Sequence, residues 1–256
     1  MKIMGIVNVT PDSFSDGGKF ASVDAAIAHA QELLAAGAHV IDIGGESTRP
    51  GAQPVDPVEE WRRIGPVVQA LAGHCQVSVD TYHSQTAYAA IQAGAAIIND
   101  VTGGLGDERM FDVVADSECD YILQHTRSDS RTMAQYAHYG DVVAEVRSEL
   151  ARQRDYAVES GIAPERIILD PGLGFAKDSA QTWEVMRKVA DFVGQGHRVL
   201  IGQSRKRFLA DVTVGDERDV ATAVLSIVCA QRGVWAVRVH NVAATVTALQ
   251  SWKESQ

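Results

Sequence analysis

The sequence predicts an α/β fold, because short apolar runs alternate along the chain with amphipathic helical patterns. Eight such runs occur in 256 residues, which favours a closed (β/α)8 TIM barrel over an open doubly wound sheet. No G-x-G-x-x-G motif follows the first run, which also counts against a dinucleotide-binding sheet. No linker or change of composition interrupts the pattern, so residues 1–256 are predicted to form one domain.

The predicted strands are mostly continuous apolar runs, as expected of parallel strands that are covered on both faces. They span residues 3–7, 39–43, 76–80, 96–99, 121–125, 167–170, 198–202 and 235–239.

The helices between the strands carry start and stop signals. In the first, apolar residues recur at helical spacing from Val23 to Leu34, Ser22 is the predicted N-cap, and Gly37 ends the helix. Pro57 after Asp56 marks another helix start. The same step from a glycine into a strand recurs at Gly73, Gly94, Gly161, Gly196 and Gly233. These signals support the repeating strand and helix unit.

Three connections are long enough to be working loops: residues 8–21, 43–56 and 126–140. The first two are rich in Gly, Pro, Ser and Asp, and the third is polar without clear periodicity. Long loops of a compact barrel usually serve binding or catalysis.

Composition excludes several classes of function. With 33 acidic and 23 basic residues, the net charge of −10 argues against binding to nucleic acid or an anionic membrane. The three cysteines lack metal or disulfide spacing, and no apolar run has membrane-spanning length. The N-terminal apolar run is too short for a signal peptide. We therefore expect a cytoplasmic protein whose partners are small molecules.

Polar residues follow every predicted strand, at the barrel rim where chemistry gathers. They are Asn8, Asp42, Asp80, Asn99, His125, Asp170, Ser204 with Lys206, and Arg238 with His240. Eight polar ends that converge on one rim are better explained by a site than by eight unrelated caps.

The set divides by charge. Asp80, Asn99 and Asp170 suit a ring that bears N–H and NH2 donors, and Asn8 is an oxygen ligand for a hard cation such as Mg²⁺. The cations suit phosphate, and they are Arg205, Lys206, Arg238 and His240. The combination indicates a flat, nitrogen-rich heterocycle that carries phosphate.

The segment Ser204-Arg205-Lys206-Arg207 places three cations where a buried strand is predicted to meet a helix capped by Ser204. The segment alone is equally consistent with an anion site and with a solvated helix turn. Asp42 either joins the site or orients loops, and His125 is either a ligand contact or a satisfied histidine. Phe175 either stacks on a ligand or packs its glycine-rich loop.

Long motifs in the expected order make the chain resemble the dihydropteroate synthase family. They are Asn8-Val9-Thr10-Pro11-Asp12-Ser13-Phe14-Ser15-Asp16-Gly17-Gly18, Gly44-Gly45-Glu46-Ser47-Thr48-Arg49-Pro50-Gly51, Asp170-Pro171-Gly172-Leu173-Gly174-Phe175, Ser204-Arg205-Lys206 and Arg238-Val239-His240.

This resemblance implies a homodimeric pterin-binding barrel of folate biosynthesis and a sulfonamide target. It implies condensation of 6-hydroxymethyl-7,8-dihydropterin pyrophosphate with p-aminobenzoate, which gives 7,8-dihydropteroate and pyrophosphate with Mg²⁺ as cofactor. The pterin C–O bond would ionise first, and the amine would then attack the carbocation. Such a reaction needs positioning and exclusion of water more than a strong base.

The resemblance also implies roles for individual residues. The catalytic residues would be Asp12, Lys206, Arg238 and His240. The pterin would contact Asp80, Asn99, Val101, Asp170, Gly202 and Lys206. The p-aminobenzoate would contact Thr48, Arg49, Pro50, Phe175 and Lys206. Arg238 and His240 would hold the pyrophosphate, Asn8 would hold the metal, and Thr10, Asp12 and Phe14 would lie on the closing first loop. Because Arg238 ends the eighth strand, we expect it to face the pyrophosphate and not the ring.

The chain departs from the family pattern at four places. Gln124 stands where methionine is common, and residues 126–131 lack the usual Gly and Pro. Asn241 replaces an aspartate, with little effect expected because Asn caps helices equally well. Arg207 stands where many members have serine, and it either serves the p-aminobenzoate carboxylate or points outward.

Three other readings remain open from the sequence. A methyltetrahydrofolate methyltransferase is disfavoured by the first-loop and Ser-Arg-Lys motifs. A non-catalytic pterin-binding paralogue is compatible with the altered fifth loop, and formation of product would distinguish it. A sugar-phosphate barrel would not explain Asp80, Asn99 and Asp170.

Overall fold

The computed structural model describes residues 1–10, 18–48, 51–129, 131–215 and 217–256, with residues 18–22 described by their backbone only. Within these ranges, eight parallel strands pair in chain order and close into a barrel. The strands are β1 (Lys2–Asn8), β2 (Val40–Gly44), β3 (Gln76–Asp80), β4 (Ile97–Asp100), β5 (Asp120–Gln124), β6 (Ile167–Asp170), β7 (Arg198–Ile201) and β8 (Ala236–Val239). The predicted (β/α)8 fold class is confirmed.

Helices follow the strands on the outside of the barrel. They are α1 (Gly18–Ala35), α2 (Pro57–Leu71), α3 (Ser84–Gln92), α4 (Met110–Ala115), α5 (Val142–Glu159), α6 (Ser179–Arg187), α7 (Val189–Val193), α8 (Arg218–Gln231) and α9 (Val242–Glu254). Short 3-10 helices lie at Met133–Tyr136, Pro164–Arg166 and Arg207–Asp211. None of the helices that the structure describes is long and apolar enough to cross a membrane.

Of two helix starts predicted from the sequence, one is confirmed and one is wrong. Asp56 caps α2 by accepting a hydrogen bond from the backbone N–H of Val58, and Pro57 opens the helix as predicted. The predicted cap at Ser22 is wrong, because α1 begins at Gly18 and Ser22 lies inside it. The glycine signal is confirmed at the six predicted positions from Gly37 to Gly233, each of which has a positive φ.

The helix predicted to begin at Ser204 is also wrong. Ser204 and Arg205 lie in a turn, Arg205 has a positive φ of 55°, and only a 3-10 helix follows at Arg207–Asp211. The next α-helix, α8, begins at Arg218. The positive φ interrupts right-handed helical geometry at the point where the sequence pattern expected it to begin.

The inside of the barrel is built in layers. A fully buried apolar layer consists of Met4, Val40, Ile97, Ile122, Ile168, Leu200 and Ala236. Two residues further along six of these strands, the same inner face carries Asp42, Asn99, Gln124, Asp170, Gly202 and Arg238. Side chains alternate between the two faces of a strand, so residues two positions apart share the inner face, and here the first layer is apolar and the second polar. We call this second layer, together with Asp80 and Lys206 that adjoin it, the polar floor.

Candidate active site

Arg238 lies at the centre of the polar floor, between two carboxylates. Its Nε donates to Asp42 Oδ2 at 2.6 Å, and its Nη2 donates to Asp80 Oδ2 at 2.7 Å. The Nδ2 group of Asn99 also donates to Asp42 Oδ2, at 3.2 Å. Asp42 is fully buried and points inward, so it belongs to the floor rather than to a loop cap. This contact places Arg238 directly beside the predicted pterin acceptor Asp80, a pairing that the sequence pattern did not predict.

One carboxylate oxygen of Asp80 is available to accept a hydrogen bond from a ligand. Its Oδ1 is buried and has no hydrogen-bond partner among the described residues. Burial raises the pKa of Asp80 to about 7, and the charge of Arg238 limits that rise. A buried acceptor without a partner is costly in a folded protein, and such an atom is expected where a ligand donor completes the site.

Asp170 and Lys206 meet on the other side of the floor, over Gly202. A Cβ atom built on Gly202 would lie 3.8 Å from both Asp170 Oδ2 and Lys206 Nζ. Asp170 Oδ1 accepts from the backbone N–H of Gly172 at 2.7 Å, which orients the carboxylate. Burial raises the pKa of Asp170, while the charge of Lys206 opposes the rise. The absence of a side chain at Gly202 leaves space between these groups.

Lys206 is shared with the loop that follows β6. Its Nζ donates to the Leu173 carbonyl and lies 4.7 Å from the centre of the Phe175 ring, within range of a cation–π contact. Burial lowers the pKa of Lys206 to about 8, and Asp170 works against that shift. Lys206 is the one cation of the Ser204–Arg207 segment that the described structure brings to the floor.

The neighbouring cations point away from it. Arg205 and Arg207 are exposed, and Arg205 pairs with Asp219 through hydrogen bonds of 2.7 and 2.8 Å. Arg205 is thus paired with Asp219 outside the floor, and Arg207 takes the outward alternative. A left-handed turn at Arg205 separates the directions of consecutive side chains.

Ser204 and His240 form a second polar pair at this edge of the barrel. The backbone N–H of His240 donates to Ser204 Oγ at 3.1 Å, and that oxygen lies 2.9 Å from His240 Nδ1. The hydroxyl proton can then be donated to Nδ1, which leaves Nε2 as an N–H donor. Such a donor suits a phosphate oxygen. The adjacent Asn241 caps α9, as expected, by accepting from the backbone N–H of Ala244.

Asn8 lies at the end of β1, half-buried, on the same rim. A Cβ atom built on Gly44 would lie 3.8 Å from Asn8 Oδ1 and 3.7 Å from Asp80 Oδ2. Both oxygens therefore lie close to Gly44 at the end of β2. No cluster of three or more His, Cys, Asp or Glu side chains suited to a metal occurs within the described ranges. A single amide ligand fits Mg²⁺ that is bound mainly through substrate phosphates and water.

The departures at Gln124 and in the fifth loop have structural explanations. Gln124 is buried, and its Nε2 donates to the Val101 carbonyl at 3.1 Å, which links two predicted pocket positions. In the loop, Arg127 binds Glu149 and Glu145 and stacks on Tyr139 at 3.7 Å from the ring centre. Side-chain contacts therefore hold a loop that lacks the usual glycine and proline.

His125 does not reach the floor. It is fully buried, with Nε2 2.8 Å from Glu149 Oε2 and Nδ1 2.9 Å from Lys177 Nζ. Burial, with help from Lys177, lowers its pKa to about 4. His125 is thus the satisfied histidine of the two alternatives. Sequence reasoning missed both of its partners.

The second loop is anchored by Glu46. The Tyr82 hydroxyl donates to this carboxylate, the Val55 backbone N–H donates to its Oε2 at 3.0 Å, and His83 lies 3.3 Å away. Thr48 follows and is half-buried, as is Thr10 of the first loop. The predicted positions Asp12, Phe14, Arg49 and Pro50 lie outside the described residues.

Comparison with known proteins agrees with this geometry. The sequence profile of the family "Pterin binding enzyme" matches residues 4–240. Dihydropteroate synthase of Mycobacterium leprae is 44% identical over 260 residues, covering 98% of this chain and 92% of its own.

Solved structures give the same result. A dihydropteroate synthase from Xanthomonas albilineans with 4-aminobenzoic acid has a TM-score of 0.91 at 42% identity and covers 100% of this chain and 93% of its own. The same organism's enzyme in complex with 7,8-dihydropteroate has a TM-score of 0.88 at 39% identity, with the same coverage. The chain therefore belongs to the dihydropteroate synthase family of pterin-binding enzymes.

Proposed function

We propose that this chain condenses 6-hydroxymethyl-7,8-dihydropterin pyrophosphate with p-aminobenzoate, forming 7,8-dihydropteroate and pyrophosphate in folate biosynthesis. The observation that carries the proposal is the polar floor, where buried acceptors of Asp80 and Asp170 lie beside the cations Arg238 and Lys206. Relatives named dihydropteroate synthase, and a structural neighbour in complex with 7,8-dihydropteroate, support the same reaction.

The floor suits the donor-rich edge of a pterin. The unpartnered Oδ1 of Asp80 and the Oδ2 of Asp170 are acceptors for ring N–H and amino groups. Asn99 supplies an amide beside them, and the Gln124 to Val101 hydrogen bond fixes the wall of the pocket. The gap at Gly202 gives a flat ring room between Asp170 and Arg238.

The reaction separates charge. The bond between the pterin methylene carbon and the pyrophosphate oxygen breaks, and its electron pair leaves with the pyrophosphate. The amine nitrogen then forms a bond with the methylene carbon and loses a proton. Lys206, Arg238 and His240 are the groups that would stabilise charge as it develops on the leaving group. Asn8 would hold Mg²⁺, which supplies further charge neutralisation when bound.

The amine would lie against Phe175 and Lys206, whose ring and ammonium group are already in contact. Thr48, Arg49 and Pro50 on the second loop, with Thr10, Asp12 and Phe14 on the first, would cover the reacting centre. Their task is to exclude water, which would otherwise capture the carbocation.

We also propose that the enzyme works as a homodimer in the cytoplasm. Val220 and Val224 of α8 are exposed in the single chain, at 59% and 54% of their surface. Apolar exposure on one helix is consistent with a contact between copies.

A direct assay tests the proposal. Purified protein with the pterin pyrophosphate, p-aminobenzoate and Mg²⁺ should form dihydropteroate and pyrophosphate in equal amounts. The variant K206M should lose most turnover, whereas K253M, at an exposed position, should keep it. Pterin binding without product would favour the non-catalytic paralogue. Full chelation should suppress turnover and added Mg²⁺ should restore it, so unchanged turnover after chelation would remove the metal from the proposal.

A further inference from the structure

A lysine that the proposed reaction does not use lies buried behind the site. Lys177 is 4% exposed, and its Nζ is 2.9 Å from His125 Nδ1, 3.1 Å from the Gly172 carbonyl and 3.0 Å from the Phe175 carbonyl. Fully buried lysines are rare unless they are paired, so these contacts need an explanation.

The protons of this cluster can be assigned from its hydrogen bonds. Burial opposes ionisation of Glu149, but His125 and Arg127 lower its pKa to about 2. Glu149 is therefore a carboxylate that accepts from His125 Nε2, and the neutral imidazole presents Nδ1 as an acceptor. Lys177 thus faces three acceptors.

Three acceptors require three N–H donors, which only an ammonium group supplies. Burial lowers the pKa of Lys177 well below its usual value, and the charge of Asp170 opposes that shift. A neutral amine would aim its lone pair at one of the acceptors. The three acceptors therefore favour the ammonium form of Lys177 and oppose the effect of its burial.

The loop that Lys177 holds contains three residues in the left-handed region of backbone conformation, and only one of them, Ala176, is not a glycine. Gly172, Gly174 and Ala176 have positive φ values of 64°, 75° and 47°. A Cβ atom at Gly172 would lie 2.0 Å from the His125 carbonyl oxygen, so the loop packs closely against the end of β5. A left-handed conformation at Ala176 is strained and persists only where its surroundings enforce it.

The same loop presents two groups to the floor. The Leu173 carbonyl accepts from Lys206, and the Phe175 ring lies against the same ammonium group. Lys177 binds the carbonyls of Gly172 and Phe175, which bracket this stretch. It therefore ties the backbone on both sides of the residues that contact Lys206.

We propose that Lys177, supported by His125 and Glu149, is a positioning residue that holds the β6–α6 loop so that Phe175 and Lys206 form the aromatic amine site. This inference rests on the proposed function, and it adds a requirement for a residue that touches neither substrate. Of the pterin acceptors, Asp80 and Asn99 stand on other strands, and only Asp170 contacts this loop, through the backbone N–H of Gly172.

The variant K177M tests the inference, with K188M at an exposed position as the matched control. K177M should raise KM for p-aminobenzoate about tenfold or more, with a much smaller change in KM for the pterin pyrophosphate. It should also speed amide hydrogen exchange in residues 172–177. K188M should match the wild type in all three measurements. Equal values for the two variants would overturn the inference.

A double-mutant cycle separates positioning from general stability. If Lys177 acts through Phe175, then K177M should change KM for p-aminobenzoate much less in an F175A background than in the wild type. Fully additive effects would mean that Lys177 only stabilises the fold. Should K177M not fold, E149Q replaces it, because Glu149 is on the exposed side of the cluster. E149Q should raise the same KM, and an unchanged value would overturn the inference.

The activity of the wild-type protein shows which of the two proposals has failed, the proposed function or the positioning role of Lys177. A wild type that forms no dihydropteroate contradicts the proposed function. An active wild type whose K177M and E149Q variants behave like K188M contradicts the positioning role alone.

Discussion

Two layers of the same barrel interior have opposite characters. The lower layer, from Met4 on β1 to Ala236 on β8, is entirely apolar and fully buried. The upper layer lies two residues further along most of the same strands and includes Asp42, Asp170 and Arg238. The backbone is continuous through both layers, so the difference lies in the side chains alone.

This comparison shows where the fold gains stability and where it gives stability up. Burying the lower layer contributes favourable free energy with no polar group to satisfy. The upper layer desolvates several charges and leaves Asp80 Oδ1 without a partner among the described residues. Such a layer is a poor way to stabilise a barrel, but it is well suited to receive a polar ring.

Arg238→Ala should have the largest effect, because it leaves the carboxylates of Asp42 and Asp80 buried without their cation. Breaking a buried pair in this way costs about 3–5 kcal/mol. We expect a large loss in the free energy of unfolding and almost no turnover. Arg238→Lys should recover only part of both, since a point charge cannot bridge the two carboxylates. Unchanged stability in the alanine variant would mean that the bridge does not hold the floor together.

The pH dependence should come next in size. Asp80 has a pKa of about 7 in the folded chain and is a better acceptor when ionised, so pterin affinity should fall about tenfold per pH unit below that value. Turnover should also fall as pH rises above about 8, where Lys206 loses its proton. Pterin titrations at pH 6 and pH 7.5 measure the pH dependence of affinity. Asp80→Asn should remove most of this dependence.

The raised pKa of Asp80 also makes the stability of the fold depend on pH. The folded pKa of Asp80 exceeds its ordinary value of 3.8, so the folded state binds more protons between these values. The contribution of Asp80 to stability should therefore decline as pH rises from about 4 to 7. Chemical unfolding of wild type and Asp80→Asn across this window isolates it. A contribution that grows with pH would contradict the assigned shift.

Ile168→Val in the lower layer should have the smallest effect. Removal of one buried methylene costs about 0.5–1.5 kcal/mol of stability. Pterin affinity should stay at the wild-type value, because Ile168 contacts the apolar layer and not the floor. Chemical unfolding and calorimetry on the same preparation measure both. A marked loss of affinity would show that the two layers are not separable.

Much of the architecture follows from local sequence signals. Eight apolar runs, glycines at helix ends and the Asp56-Pro57 helix start predict the barrel, and the polar strand ends predict its working rim. The predicted end of β5 at His125 is one residue too late. The strand ends at Gln124, and it is Gln124 that faces inward, like Ile122 two residues before it. A shift of one residue moves a side chain to the other face, which is why His125 lies behind the barrel.

Other features could not be read from local patterns. The left-handed turn at Arg205 depends on how the segment packs, and it separates Lys206 from the neighbouring arginines. Lys177 sits between a glycine-rich loop and the capping box of Asp178, where a lysine is normally solvated. One of its three partners, His125, lies 52 positions away, and spacing along the chain carries no trace of that contact.

The most direct test of the account is calorimetric titration of a phosphate-free pterin into Asp170→Asn, with Ile168→Val on the same strand as the matched control. Because Asp170 Oδ1 accepts from the Gly172 N–H, an asparagine that keeps this bond would present an NH2 donor to the pterin where the carboxylate presents Oδ2 as an acceptor. Asp170→Asn should therefore lose about one to two decades of affinity, or about 1.5–3 kcal/mol. Ile168→Val should bind like the wild type. Equal affinity in the two variants would contradict the assignment of pterin binding to the upper layer.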